Sequence, residues 1–304
     1  MLQRYDPRNA DLRYWVDGVL RHRDEPGISP FDSVVQGGDA VWEGLRVYDG
    51  GVYGLDEHLA RLRRSARALG FERVPADADV VAAVRATLEA NDMRDGVHVR
   101  LTLTRGVKVT SGMDPRLNQA GCTLIVLAEH KPPVYDTGGL SLVTSSVRRP
   151  GPDVLDPKIH HNNLINSILA KMEANLAGAD DAMMLDGRGF VAETNATHLF
   201  AVVDACLVTP RAVACPEGIT RDTVIRLAPG EGLDVAVRDV SQVEMYTADE
   251  VFCTGTMGEI AGVVTIDGRP IGDGTVGPVT ARLARVYRAH AREHAQRLWA
   301  DSSV

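Results

Sequence analysis

Apolar and polar positions recur along this chain with two periods, and together they lay out its elements. Val97–Thr104 alternates strictly. Val97, Val99, Leu101 and Leu103 face one way, while His98, Arg100, Thr102 and Thr104 face the other, which predicts a strand with one apolar and one hydrogen-bonding face. Such a strand is a candidate cleft wall. Arg13 to Val16 and Leu45 to Tyr48 read as further strands, with Gly50-Gly51 turning the chain into Val52–Leu55. Helical spacing then takes over at Leu59, Leu62, Ala66 and Leu69, with Asp56 the expected N-cap and Gly70 the stop. Asp77 opens a second helix whose stripe is Val80, Val81, Val84 and Leu88.

After the apolar strand Thr123–Ala128, the segment HKPPVYDTGG breaks the pattern with prolines and glycines. It predicts a linker over 131–139 between a small N-terminal domain, 1–130, and a larger one, 140–304. The second half restarts with strand Leu140–Ser145. A long helix follows from Asn163 to Leu176, with Leu164, Ile165, Ile168, Leu169 and Met172 as its expected buried stripe. Gly277-Pro278 opens a last helix running toward Trp299. Strands and helices mix without a clean βαβ rhythm, and the glycines lack dinucleotide-binding spacing, so a mixed α/β fold is expected rather than a Rossmann sheet.

A chain of 304 residues suits two domains. Its 33 basic and 41 acidic side chains give a net charge of −8, which disfavours nucleic acid and anionic lipid as partners. Four cysteines, Cys122, Cys206, Cys215 and Cys253, show no CxxC spacing, so reduced thiols and no metal site are expected. The polar start MLQRYDPRNADLRYWVDG has no signal-peptide core, and no apolar run nears the ~20 residues that span a bilayer, so a cytoplasmic protein is expected.

Five islands remain once the core patterns are removed: DEHLARL, DPKIHHNN, VAETNATHLF, CPEGITR and TGTMGEI. Lys158 follows a proline-punctuated loop and precedes an apolar helix. A lysine with a lowered pKa there is a nucleophile or base, although most loop lysines are simply solvated. Glu193 could hold a ring nitrogen protonated or merely cap a turn. Gly218-Ile219-Thr220 leads into an apolar helix, a setting for phosphate and equally for an ordinary cap. Thr254-Gly255-Thr256 shares that ambiguity. Arg61 could clamp a phosphate or face solvent.

Taken in order, these islands resemble the fold-type IV pyridoxal-phosphate enzymes: branched-chain aminotransferases, D-amino acid aminotransferases and aminodeoxychorismate lyases. The resemblance runs from QGGDAVWEGLRVYDG to DGRPIGDG and is most specific over KIHHNNLINSILAKMEANLAGADDAMMLDGRGFVAETNATHLF. It implies that Lys158 carries pyridoxal 5'-phosphate as a Schiff base and is the catalytic residue. It also implies that Glu193 pairs with the pyridine nitrogen, and that Arg61, the Ile219 and Thr220 amides and the Thr256 hydroxyl hold the phosphate. The activity implied is exchange of an amino group between an amino acid and a 2-oxo acid such as 2-oxoglutarate or pyruvate, in a homodimer.

The branch is read from smaller signs. QGGDAVWE and LTLTRG, ending at Arg105, resemble D-amino acid enzymes, while His98, Arg100 and GTMGE fall where branched-chain enzymes carry their Tyr-x-Arg pair and GTAAE-like loop. Val35 or Gly37 stands where a carboxylate-binding tyrosine is usual, and Asn163 where branched-chain enzymes have an aromatic. Val35, Trp42, His98, Arg100, Arg105 and Met257 are therefore the expected substrate-binding residues. The D-amino acid type leads, with (R)-amines as further donors. The L-branched-chain type is the alternative, and a lyase acting on aminodeoxychorismate comes after it.

Overall fold

A computed structural model describes residues 5–132 and 138–299. The described chain divides into two compact units that are not contiguous in sequence. The first holds residues 5–132, 159–163 and 291–299, and the second 138–158 and 164–290. A single cut between 1–130 and 140–304 therefore misplaces two segments, because 159–163 and the C-terminal stretch add themselves to the N-terminal unit. Of the expected linker 131–139, residues 133–137 lie outside the described residues.

The first unit contains β1 (Arg13–Val16), β2 (Val19–His22), α1 (Ser33–Gly37), β3 (Ala40–Tyr48), β4 (Gly51–Val52), α2 (Leu55–Ala68), α3 (Asp77–Ala90), β5 (Val97–Thr104) and β6 (Thr123–His130). Among the described residues its sheet is seven-stranded and antiparallel, in the order Gln296–Arg297, β4, β3, β5, β6, β1, β2. Strict alternation on β5 and its neighbours puts Val41, Leu45, Val47, Val97, Val99, Leu101 and Leu103 into one core with the apolar stripes of α2 and α3. Register then fixes the other face, where Trp42 pairs with Thr102, Gly44 with Arg100 and Arg46 with His98. Helix α2 is capped by Gly54 in a left-handed conformation, φ 66°, rather than by Asp56, because the chain turns sharply out of β4.

The second unit contains β7 (Leu140–Thr144), α4 (Ile165–Leu176), β8 (Asp181–Leu185), β9 (Val191–Thr194), β10 (His198–Val203), β11 (Cys206–Pro210), α5 (Ile219–Leu227), β12 (Asp234–Arg238), α6 (Gln242–Tyr246), β13 (Glu250–Gly255), β14 (Glu259–Ile266), β15 (Arg269–Pro270) and most of α7 (Pro278–Glu293). Its sheet runs β12-β11-β10-β13-β14-β7-β8-β9, with β15 paired to β14. The β11–β12, β14–β7 and β7–β8 pairs are parallel and the rest antiparallel. Helix α7 stops at Glu293, short of Trp299, since the next residues pair as a strand with β4.

Helix α4 departs most from its pattern. Ile165, Ile168, Leu169, Met172 and Leu176, read as a buried stripe up to Met172, are 43–88% exposed. The helix instead packs by its small side, Ala170 and Ala174, against Ala182 and Met184. Alanines let the helix lie close to the sheet, and that turns the long side chains away.

Candidate active site

In the second unit, Lys158 is the last residue before the chain passes to the first. Its amide donates to Asp156 Oδ1 at 3.0 Å, and its half-exposed side chain has Nζ 3.5 Å from Glu217 Oε1. Glu193 sits buried on β9, held in register with Met184 of β8. Its Oε1 lies 2.5 Å from Arg149 Nη2, and His198 Nδ1 lies 3.7 Å from Oε2. Arg149 is itself fixed, since Nη1 donates to Ser167 Oγ at 3.1 Å and Nε to the Ala214 carbonyl at 3.2 Å. Burial pushes the Glu193 carboxyl up to about 7 against the pull of that guanidinium. The buried Cys215 thiol lies where the charges of Glu193, Arg149, Arg221 and Lys158 all reach it, and burial raises its pKa far above the usual thiol range. Glu193, His198 and Cys215 each bring a potential metal-ligand atom within 4.8 Å of the others, although Arg149 already neutralises the carboxylate.

Helix α5 begins at Ile219 with Gly218 as N-cap and no side-chain cap bond, and Asp222 N is the first amide to bond back, to the Gly218 carbonyl at 2.9 Å. The first-turn amides of Ile219 and Thr220 thus point out of an open helix N-terminus, where the helix dipole favours an anion. Gly218 is required by close approach, since a Cβ there would lie 2.3 Å from His198 Nε2. The buried Thr220 hydroxyl is 3.4 Å from the Tyr287 hydroxyl. Thr256 and Met257 lie in the turn joining β13 to β14, and just before it the buried Thr254 Oγ1 has no hydrogen-bond partner.

These residues fit a phosphorylated pyridine aldehyde. The uncapped α5 terminus suits its phosphate, the orphaned Thr254 hydroxyl can donate to an oxygen, Glu193 suits the ring nitrogen, and Lys158 offers a primary amine.

The other expected site residues belong to the first unit. Arg61, on α2, is committed to Glu43 of β3 through a fork: Nε to Oε1 at 2.8 Å and Nη2 to Oε2 at 2.6 Å. His98 is buried on β5 with neither ring nitrogen hydrogen-bonded, and burial, then the charges of Lys131, Arg100 and Arg46, pushes its pKa down to about 3. Its Nε2 and the Trp42 ring flank Gly44, 3.4 and 3.5 Å from where a Cβ would stand. Arg100 lies 3.7 Å over the Trp42 ring centroid and donates to Asn162 Oδ1 at 2.9 Å, and burial lowers its pKa to about 10. Val35 projects from α1, largely exposed. Arg105 is spent on structure, with donors to Asp39 Oδ2 at 2.6 Å, Asp39 Oδ1 at 3.2 Å and the Leu69 and Gly70 carbonyls at 2.8 and 3.2 Å.

Sequence reasoning missed Glu43, Arg149 and the His198–Cys215 pair, and singled out Thr254 only as part of its turn. Glu43 alone left a signal, as an acid at a core-facing position of an apolar strand.

The profile of the amino-transferase class IV family matches residues 40–266. The fold is shared with the T.th. branched-chain amino acid aminotransferase solved with pyridoxamine 5'-phosphate, at a TM-score of 0.87 and 35% identity over 93% of this chain and 95% of that one. The chain belongs to the class IV amino-transferases, whose cofactor is pyridoxal 5'-phosphate. Among curated relatives, it is 56% identical over 283 residues to branched-chain-amino-acid aminotransferase-like protein 1 of Arabidopsis thaliana, matching 93% of this chain and 51% of that one. The chain therefore spans about half the length of that relative. A putative branched-chain-amino-acid aminotransferase of Methanocaldococcus jannaschii is 39% identical over 91% of this chain and 96% of its own length.

Proposed function

We propose that this chain is a transaminase exchanging the amino group of an L-branched-chain amino acid with a 2-oxo acid such as 2-oxoglutarate. The D-amino acid reading leaned on Arg105 as a carboxylate ligand, and the commitment of that guanidinium to Asp39, Leu69 and Gly70 is the observation that turns the choice. The names of the relatives lean the same way. Arg100 and His98 then become the substrate-facing pair, on a sheet face where His98 still has hydrogen bonds to make.

Bound in the second unit, pyridoxal 5'-phosphate supplies an electron sink for the pair left when a substrate Cα–H bond breaks. Glu193, as a carboxylate held by Arg149, would pair with the ring nitrogen and keep a proton on it. The α5 amides and the Thr220 and Thr256 hydroxyls anchor the phosphate. Lys158 Nζ, the primary amine of the site, would carry the proton to and from the substrate Cα as general base and acid.

No described helix is long and apolar enough to cross a membrane. A cytoplasmic homodimer is the form we propose, and the exposed apolar face of α4 supports self-association.

Purified protein offered L-leucine and D-alanine in separate reactions, with 2-oxoglutarate as acceptor, tests the reading. Turnover of L-leucine is expected, with Lys158→Ala slower by about 10²–10⁴-fold. Turnover of D-alanine alone would restore the D-type, and pyruvate released from aminodeoxychorismate without an acceptor would point to a lyase.

A further inference from the structure

Within the second unit, the open N-terminus of α5 has the end of β13 for a neighbour. Gly218, the N-cap, lies so close to His198 Nε2 that a Cβ there would collide with it. His198 is in turn paired across the sheet with Thr254 of β13. Thr254 Oγ1 is buried with no hydrogen-bond partner, although a hydroxyl removed from water needs one. Uncapped helix amides beside an unsatisfied hydroxyl make a seat for an anion with several oxygens.

Helix α7 touches both walls of that seat through two consecutive residues. Tyr287 is buried and brings its hydroxyl to 3.4 Å from Thr220 Oγ1, in the first turn of α5. With Tyr287 donating, the Thr220 proton is left to turn toward an anion. Arg288 Nε donates to Glu259 Oε2 at 2.8 Å. Glu259 closes the β13–β14 turn opposite Gly255, and it is buried with a left-handed φ of 54°. Such a backbone strains any residue but glycine. What glutamate brings instead is a side chain that α7 can grip. Arg288 also cancels a charge that would oppose an anion nearby. Consecutive helical residues project about 100° apart, so Tyr287 reaches α5 while Arg288 reaches the turn.

We infer that Tyr287 and Arg288 are positioning residues that set the two walls of this seat, the α5 N-terminus through Thr220 and the β13–β14 turn through Glu259, to the spacing of a phosphate monoester. The inference rests on the reading of the α5 N-terminus as the seat of the cofactor's phosphate.

The test titrates cofactor-free protein with pyridoxal 5'-phosphate and with phosphate-free pyridoxal, following the visible absorbance of the bound aldehyde. Arg288→Gln and Glu259→Gln break the ion pair from either side, and Tyr287→Phe keeps the ring and removes only the hydroxyl. Each is expected to weaken binding of the phosphorylated form by about tenfold, mid-range for residues in one hydrogen-bonded network. Binding of pyridoxal should change far less. Glu259→Gly relieves the backbone but loses the grip, so it should weaken phosphate-dependent binding as the glutamine variant does. Arg288 is half-exposed, so its variant carries the test if a buried one does not fold. Equal weakening of both aldehydes, or wild-type uptake of the phosphorylated form by Arg288→Gln or Glu259→Gly, would overturn the inference while leaving the phosphate seat in place. Wild-type protein that binds the phosphorylated form no more tightly than pyridoxal would overturn both, and that is seen before any variant is made.

Discussion

Glu193 shows how one side chain can carry a pH dependence of its own. Its carboxyl stands at about 7 in the cofactor-free fold against an ordinary 4.5, because burial outweighs the Arg149 guanidinium 2.5 Å away. A folded pKa above the unfolded one means the group's contribution to stability is complete below pH 4.5 and lost as pH rises through 7. Cofactor-free wild type should therefore lose thermal stability relative to Glu193→Gln between those pH values. Differential scanning calorimetry of the two proteins across the range checks it, and a constant gap would show that Arg149 compensates in full. Lys158, Glu193, Ile219 and Thr220 were expected at the site from the order of their motifs and the resemblance it carries, since each alone reads equally well as a solvated lysine or an ordinary cap. Arg149 left no sign, since its partner lies 44 positions away, and Glu43 showed only as an acid in an apolar strand, its partner Arg61 being 18 positions away in the chain.

Among elements, β5 was read to its last residue because strict alternation leaves no other register. Helix α4 was placed nearly correctly but turned the wrong way. Periodicity reports that a stripe is apolar and is silent on what covers it, and Ala170 and Ala174 won the contact with the sheet. The face left outside, Ile165, Ile168, Leu169, Met172 and Leu176, is the surface on which we place the second copy of the proposed homodimer. Leu169→Glu would put a charge in that contact and leave the fold alone, as the side chain is 43% exposed. Sedimentation analysis should show the variant shifting to monomer. A variant that assembles like the wild type would move the interface elsewhere on the molecule.

At the scale of the whole chain, two segments leave their sequence neighbours to complete the first unit. Its core includes Leu298, buried at 5% exposure, beside Trp299, whose indole N–H donates to Glu89 Oε1 at 2.5 Å under the Arg94 guanidinium. Leu298→Ala should cost about 2–5 kcal/mol of stability in urea titration, the usual range for emptying a leucine site. An unchanged midpoint would mean the C-terminal stretch adds nothing to that core. The segment 159–163 makes the complementary crossing directly after Lys158, bonded to Ala40 and Trp42 on β3. Its amides should exchange with deuterium on the clock of the N-terminal sheet and not on that of the residues flanking it. A chimera joined in the linker would carry a foreign copy of this five-residue patch into a sheet that did not evolve with it. The natural seams for recombining such a protein therefore lie on either side of 159–163, with the reactive lysine at the edge of one of them.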